Sequence, residues 1–505
     1  MFNKRPILLS VICLVFIVLY FSSCLKSKRP GIPKDVISVL DIAGINKPQL
    51  TKFILNCMEA DDSLKLDACY YLLSYSNKNY TSFYSLKDSL GNTYNINPGR
   101  FSNLREILLH IDSLEGANGC LEYKADSFSI DFESLNSKQF TDNLFVAFDT
   151  YNNNKEWLTY GYSAFKQYIL PYRVANEIVE PFRKKLRGLL NDELDNELSF
   201  EQNVLKVNRK INSLIQYDER YVKTMHRPLI DELLETGKGN LETINIFKVK
   251  AFRSLGFAAA MDYTPALSDT NGWLAWTTVI APDGNEIHLG ACDGGLTEPI
   301  VRSLAKIYRR TYFADSNSLF SIKSIKESTP PYLGHYNYID VSGLYGNNYR
   351  FAKKTSSSQK YLFTAVYNDG KWKAVDWSLN KDSIMIFENM AENVVYLPTK
   401  WEDKRCLAID YPFVFKNGDI QVFKPSLKSG NFDLKYYASG KHLMANIKYK
   451  LYYWDNTWKV IGDFKYHVDG ISASLPLNAI YLIKDDDIFH DERIFAMEDG
   501  NQLFY

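Results

Sequence analysis

The chain has 505 residues, 46% of them hydrophobic and 23% charged, as in ordinary globular proteins. That length points to several domains with a sizeable core. Lys+Arg and Asp+Glu both number 59, a balance that gives no reason to expect nucleic acid or a strongly acidic partner.

Lys4 and Arg5 precede an apolar run over residues 7–21, which Ser22-Ser23-Cys24 closes. A basic start, a short apolar stretch and small residues at a cut site make a secretory signal. The run is shorter than the ~20 residues that a spanning helix needs. Ser22-Ser23-Cys24 resembles the bacterial lipobox, with Phe21 where Leu is usual. The resemblance implies a lipidated Cys24 as the new N-terminus, and so the membrane as a partner. Leu25 after Cys24 implies the outer membrane by the sorting rules of two-membrane bacteria. An uncleaved anchor is the alternative. Both place the body outside the cytoplasm. Residues 1–24 are therefore read as signal peptide and 25–38 as tether, basic and with two prolines.

Residues 39–195 read as mainly helical, since Leu64, Ala68, Tyr71, Leu72 and Tyr75 recur at helical spacing. Phe101 to Asp112 suggests a second helix, and Phe145, Phe148 and Tyr151 close a third. Cys57 and Cys69 fall in this region. They form either a bridge or two buried thiols, and the second reading fits better. Leu170-Pro-Tyr-Arg173-Val-Ala-Asn-Glu177 follows. Arg173 and Glu177, at i and i+4, either pair on one helix face or clasp two domains together.

Gly239-Asn-Leu241 opens a predicted helix that ends in Arg253-Ser-Leu-Gly256, and Gly272-Trp273-Leu274-Ala-Trp276 leads a strand. These segments resemble the Gly-x-Cys…Arg-x-Leu-Gly helix and the His-x-Trp strand of transglutaminase-like, papain-related domains of exported bacterial proteins. The resemblance implies a transglutaminase-like α+β core over 196–330. Leu241 then holds the cysteine position and Leu274 the histidine position. A thiolate and an imidazole carry this chemistry, and a leucine supplies neither. The acid position falls between Ile287 and Asp293. Cys292, His288 and Asp293 are the weak candidates for a replacement site, and His226 could line the cleft. Ala305 to Phe313 is a basic segment, read as a solvated face or a domain contact.

Residues 331–505 read as β-rich and repeated. Trp372, Tyr396 and Gly418 recur as Trp458, Tyr481 and Gly500, at offsets of 86, 85 and 82 residues. This predicts two tandem β-sandwich-like repeats, 331–425 and 426–505, with hairpin turns at Asn-Asp-Gly and Glu-Asp-Gly.

No HExxH, GxSxG, P-loop, GxGxxG or zinc-type Cys spacing occurs, so no cofactor or metal is expected. The expected fold class is α+β: a helical N-terminal region, a transglutaminase-like core and two β repeats. The expected function is an exported outer-membrane lipoprotein whose degenerate core binds peptide, protein or glycan, with Trp273, Trp276 and His226 as binding residues. The 35 Tyr, 30 Phe and 8 Trp serve β cores first and sugar- or peptide-binding surfaces second. The alternative is a cysteine peptidase, transglutaminase or amidase with a non-standard nucleophile.

Overall fold

The computed structural model describes residues 31–225, 227–290, 304–444, 447–466, 471–485 and 492–505. Three helices open it: α1 (Lys34–Ile42), α2 (Lys47–Glu59) and α3 (Ser63–Tyr75). The Asp62 carboxylate accepts from the amides of Leu64 and Lys65 and so starts α3. Cys57 and Cys69 lie buried on α2 and α3 as unlinked thiols.

The N-terminal region also contains strands that helical periodicity does not disclose. β1 (Tyr80–Lys87) pairs antiparallel with β2 (Thr93–Tyr94) on one side and β3 (Glu122–Ile130) on the other. Helix α4 (Leu104–Asn118) packs on this sheet through Ile107, Ile111 and Leu114. Helix α5 (Ser137–Asn153) begins with a capping box between Asn136 and Gln139. Helices α6 (Arg183–Leu190) and α7 (Phe200–Leu214) lead to the central helix α8 (Leu241–Ser254). Every residue of α8 from Thr243 to Ser254 is buried, so α8 is an all-round core helix rather than an amphipathic one.

Behind α8 stands a five-stranded antiparallel sheet in the order β8-β7-β4-β5-β6. Its strands are β4 (Ala258–Thr264), β5 (Leu274–Ile280), β6 (Glu286–Leu289), β7 (Tyr308–Arg310) and β8 (Tyr338–Asp340). This is the helix-on-antiparallel-sheet order expected of the core. One continuous apolar cluster runs from Val36 through α8 to Tyr338, so residues on both sides of position 195 share it.

The Arg173–Glu177 element is an irregular segment, not a helix. Each side chain ties a different element. Arg173 Nε donates to Asp131 Oδ2 at 2.9 Å and Arg173 Nη2 to Thr81 at 3.0 Å. Glu177 accepts from the amides of Val174 and Ala175 and faces Lys250 of α8 at 3.6 Å. The segment is thus a clasp, and the one-face helical pairing does not occur.

The basic segment 305–313 is buried rather than solvated. Lys306 Nζ lies 2.6 Å from Asp340 and 3.1 Å from Asp376. Tyr308 OH donates to Val375 O at 2.7 Å. These contacts join the sheet to the first β unit.

That unit runs in the order β10-β9-β11-β12-β13: β9 (Tyr361–Asn368), β10 (Lys371–Leu379), β11 (Val395–Glu402), β12 (Phe413–Lys416) and β13 (Asp419–Val422). The second runs β15-β14-β16-β17-β18: β14 (Lys448–Asp455), β15 (Thr457–Lys465), β16 (Tyr481–Lys484), β17 (Ile494–Glu498) and β18 (Asn501–Phe504). The first sheet carries a sixth strand, Arg405–Ala408, on β11, and along the other five the two orders are the same, so the sequence repeat has a topological counterpart. Asp369-Gly370 and Asp499-Gly500 turn their hairpins with positive φ at both residues.

Candidate functional site

The chain enters α8 through a tight approach. Residues Gln216–Tyr217 pair in parallel with Lys238–Gly239. A Cβ on Gly239 would lie 2.5 Å from Thr243 Oγ1, which explains the glycine. Asn240 caps the helix by accepting from the Thr243 amide at 3.0 Å. The Asp218 amide donates to Gly239 O at 3.0 Å. Arg220, bonded to the Asp218 carboxylate, holds it down to a pKa of about 2.

Leu241 stands at the first helical position and packs, partly buried, against the main core. Asn245 pins this first turn to the sheet. Its Nδ2 donates to Leu241 O at 2.8 Å and to Ala275 O at 3.1 Å, and its Oδ1 accepts from Thr277 Oγ1 at 2.9 Å. The α8 face of β5 therefore carries Ala275 and Thr277. Side chains alternate along a strand, so Leu274 and Trp276 point to the opposite face. There they pack with Leu267, Leu304, Ile307 and Val341. Leu241 and Leu274 belong to different apolar clusters, and the structure does not bring them together.

Trp276 is corrected from groove lining to core. It is 2% exposed, and its Nε1 donates to Tyr345 OH at 2.8 Å. Trp273, in the loop before β5, is 37% exposed. Cys24, His226, Cys292 and Asp293 lie outside the described residues.

His288 joins a cluster that sequence reading missed. It sits on the sheet face away from α8, with Glu286 two residues before it on β6 and Asp262, Thr278 and Arg309 from the other strands of the sheet. Thr278 Oγ1 and Tyr345 OH reach Asp262 Oδ2 at 2.8 and 2.7 Å. Both lie 3.1 Å from His288 Nδ1. With both hydroxyl protons directed at the carboxylate, Nδ1 is the donor and the lone pair falls on Nε2. Burial pushes the His288 pKa down, with Asp262 and Glu286 opposing, so the ring is neutral at pH 7.

The Asp262, Glu286 and His288 ligand atoms lie within 4.8 Å of one another, a spacing a cation could use. Arg309 already bridges the two carboxylates, at 2.7 and 2.8 Å to Asp262 and at the same distances to Glu286. Burial alone would lower its pKa. The two carboxylates outweigh burial and raise it, so the guanidinium takes the cation's part. No sequence spacing announces this set, because five separate elements supply it.

The chief opening at α8 lies at its N-terminal end. A cavity of about 630 Å³ extends from Gly239, Asn240 and Thr243 to the β1–β3 sheet. Tyr84, Tyr94, Tyr123 and Tyr221 line it, each half-buried. Tyr94 OH donates to Asp88 at 3.0 Å, and Arg227 lies 5.9 Å over the Tyr84 ring. Arg227 also pairs with Glu242, in the first turn of α8, at 3.1 Å. These ties hold the Tyr94 and Tyr84 rings in place. The volume suits a small-molecule site. The sequence named none of these tyrosines, because Tyr84, Tyr94 and Tyr123 stand on the three-stranded sheet that its periodicity hid and Tyr221 on a short turn.

No family model matches the chain, and no curated protein matches it. Among solved structures it resembles a "putative cysteine protease" from Cytophaga hutchinsonii at 15% identity and a TM-score of 0.18. That likeness covers 22% of this chain and 36% of the other. It also resembles red sea bream transglutaminase at 10% identity and a TM-score of 0.20, over 85% of this chain and 77% of that one. At these scores the likenesses carry no argument about function.

Proposed function

We propose that this chain is an exported, Cys24-anchored bacterial lipoprotein whose transglutaminase-like core binds a ligand rather than transforming one. The observation that carries this reading is the cavity at the N-terminal end of α8, beside the position where the family's nucleophile would stand. The described lining residues offer rings, hydroxyls and amides, with the amide end of a helix among them. Leu241 at the first turn supports the same reading, because it cannot attack or polarise an acyl group.

Thermal unfolding of the full-length mature chain with peptides and oligosaccharides tests the proposal. A ligand of the folded state stabilises it by about 2.7 kcal/mol at about 100 times its Kd. Thr93→Trp, on the exposed short strand at the cavity wall, should abolish that shift. An undiminished shift in Thr93→Trp would place the ligand elsewhere. Release of amine or ammonia from an amide substrate would return the enzyme reading. Membrane fractionation of a Cys24→Ala chain tests the anchor. The variant should appear in the soluble fraction, and one that stays membrane-bound after signal cleavage would exclude the lipid.

A further inference from the structure

The α8 cavity bears further on what it takes, and the inference rests on the binding proposal just made. Tyr94 and Tyr123 stand opposite the same residue, Leu86 of β1, one from each neighbouring strand. Tyr221 comes from the short turn Glu219–Tyr221, whose carbonyl accepts from Asn240 at 3.3 Å. The Tyr94 hydroxyl donates to Asp88, and Tyr94 and Tyr123 pack on the apolar cluster under α4. Both rings are therefore held in place, and the wall they form costs little to order on binding.

Charge narrows the ligand. Only Glu232 and Lys238 among the described lining residues are ionic, and they are opposite in sign. The remaining polar groups are hydroxyls and the amides of Asn95, Asn97 and Asn240. The site therefore suits an uncharged molecule with apolar faces and a hydroxyl-rich edge. A peptide strand would add to an open sheet edge, here that of β2 or β3, so peptides are the competing class in the test.

We infer that the cavity holds a short neutral saccharide, with a sugar-ring face on Tyr221 and its hydroxyls toward the asparagine amides. Stacking carries the affinity, and the amides orient the ring. Charged sugars bind less well, since no unopposed charge lines the wall.

Titration calorimetry of the full-length mature chain with short neutral oligomers of glucose and of N-acetylglucosamine tests this. Uncharged peptides of similar size run in parallel. The expected result is saccharide binding that Tyr221→Ala weakens about tenfold and Tyr221→Phe largely keeps, because phenylalanine retains the stacking face. An unaltered far-UV spectrum and melting temperature show that each variant folds. Peptide binding blocked by Thr93→Trp, without saccharide binding, would overturn the saccharide class while leaving the cavity in place. Saccharide binding unaffected by Thr93→Trp and Tyr221→Ala would overturn the site itself.

Discussion

Asp131 and Arg173 face each other at 0% and 2% side-chain exposure, yet they come from positions 42 residues apart. Burial disfavours the Arg173 charge, and Asp131 more than restores it, so the guanidinium pKa stands above its ordinary value. A buried ion pair adds little net stability while intact, and breaking it leaves an uncompensated charge. Asp131→Asn should therefore cost about 3–5 kcal/mol in denaturant unfolding. A loss under about 1 kcal/mol would show that packing, not charge, holds the clasp. The sequence made Arg173 and Glu177 conspicuous and offered both a helix-face pair and a clasp, and the structure is the clasp. Their i,i+4 spacing matters only in a helix, and Pro171 stands in a segment that is not one.

At the scale of elements, α8 and β5 decide the site. Asn240 caps α8 and reaches Tyr221 O, whereas Asn245 holds the first turn of α8 and joins it to β5 through Ala275 O and Thr277. Replacing the cap, Asn240→Ala, should cost about 1 kcal/mol. Asn245→Ala should cost more, about 2–3 kcal/mol, because it strands the buried Thr277 hydroxyl and removes the donor to Ala275 O. Equal unfolding free energies for the two variants would refute the pinning role. Helix α8 and strands β4 to β6 were legible from Gly239, Arg253 and the β-branched run after Trp276. The facing of β5 was not. A strand's alternation tells which residues share a side, and only packing tells which side meets the helix. That is why Leu241 and Leu274 read as partners in sequence and stand in separate clusters in space. The β1–β3 sheet was hidden for a related reason. β3 is exposed along most of its length, so it lacks the apolar alternation that marks a half-buried strand.

Across the whole molecule, buried tyrosines set the alkaline limit. Burial raises the pKa of Tyr172, Tyr263, Tyr308, Tyr312 and Tyr396 above the ordinary value. Unfolded tyrosines titrate near about 10. The folded state keeps its phenolic protons above that pH, where the unfolded chain loses them. Their contribution is complete below about pH 10 and falls as pH rises beyond it. Arg183 and Arg253 act in the opposite sense, since burial pushes their pKa values down. Five tyrosines outweigh two arginines. The denaturant midpoint should therefore be lower at pH 11 than at pH 9, and an unchanged or higher midpoint would contradict this balance.

By itself, the sequence determined the α+β class, the α8 helix, the strand that Gly272 to Trp276 leads and the duplicated β-rich C-terminal part. These follow from local rules: capping residues, turn residues with positive φ, and periodicities of 3.6 and 2. Only the tertiary structure decided that Trp276 is core, that the basic 305–313 segment is a buried joint, and that the opening lies between α8 and a tyrosine-lined sheet. Each depends on which faces meet across more than a hundred residues of chain. Desolvation and hydrogen-bond satisfaction settle that choice, and neither is written in any local stretch of sequence.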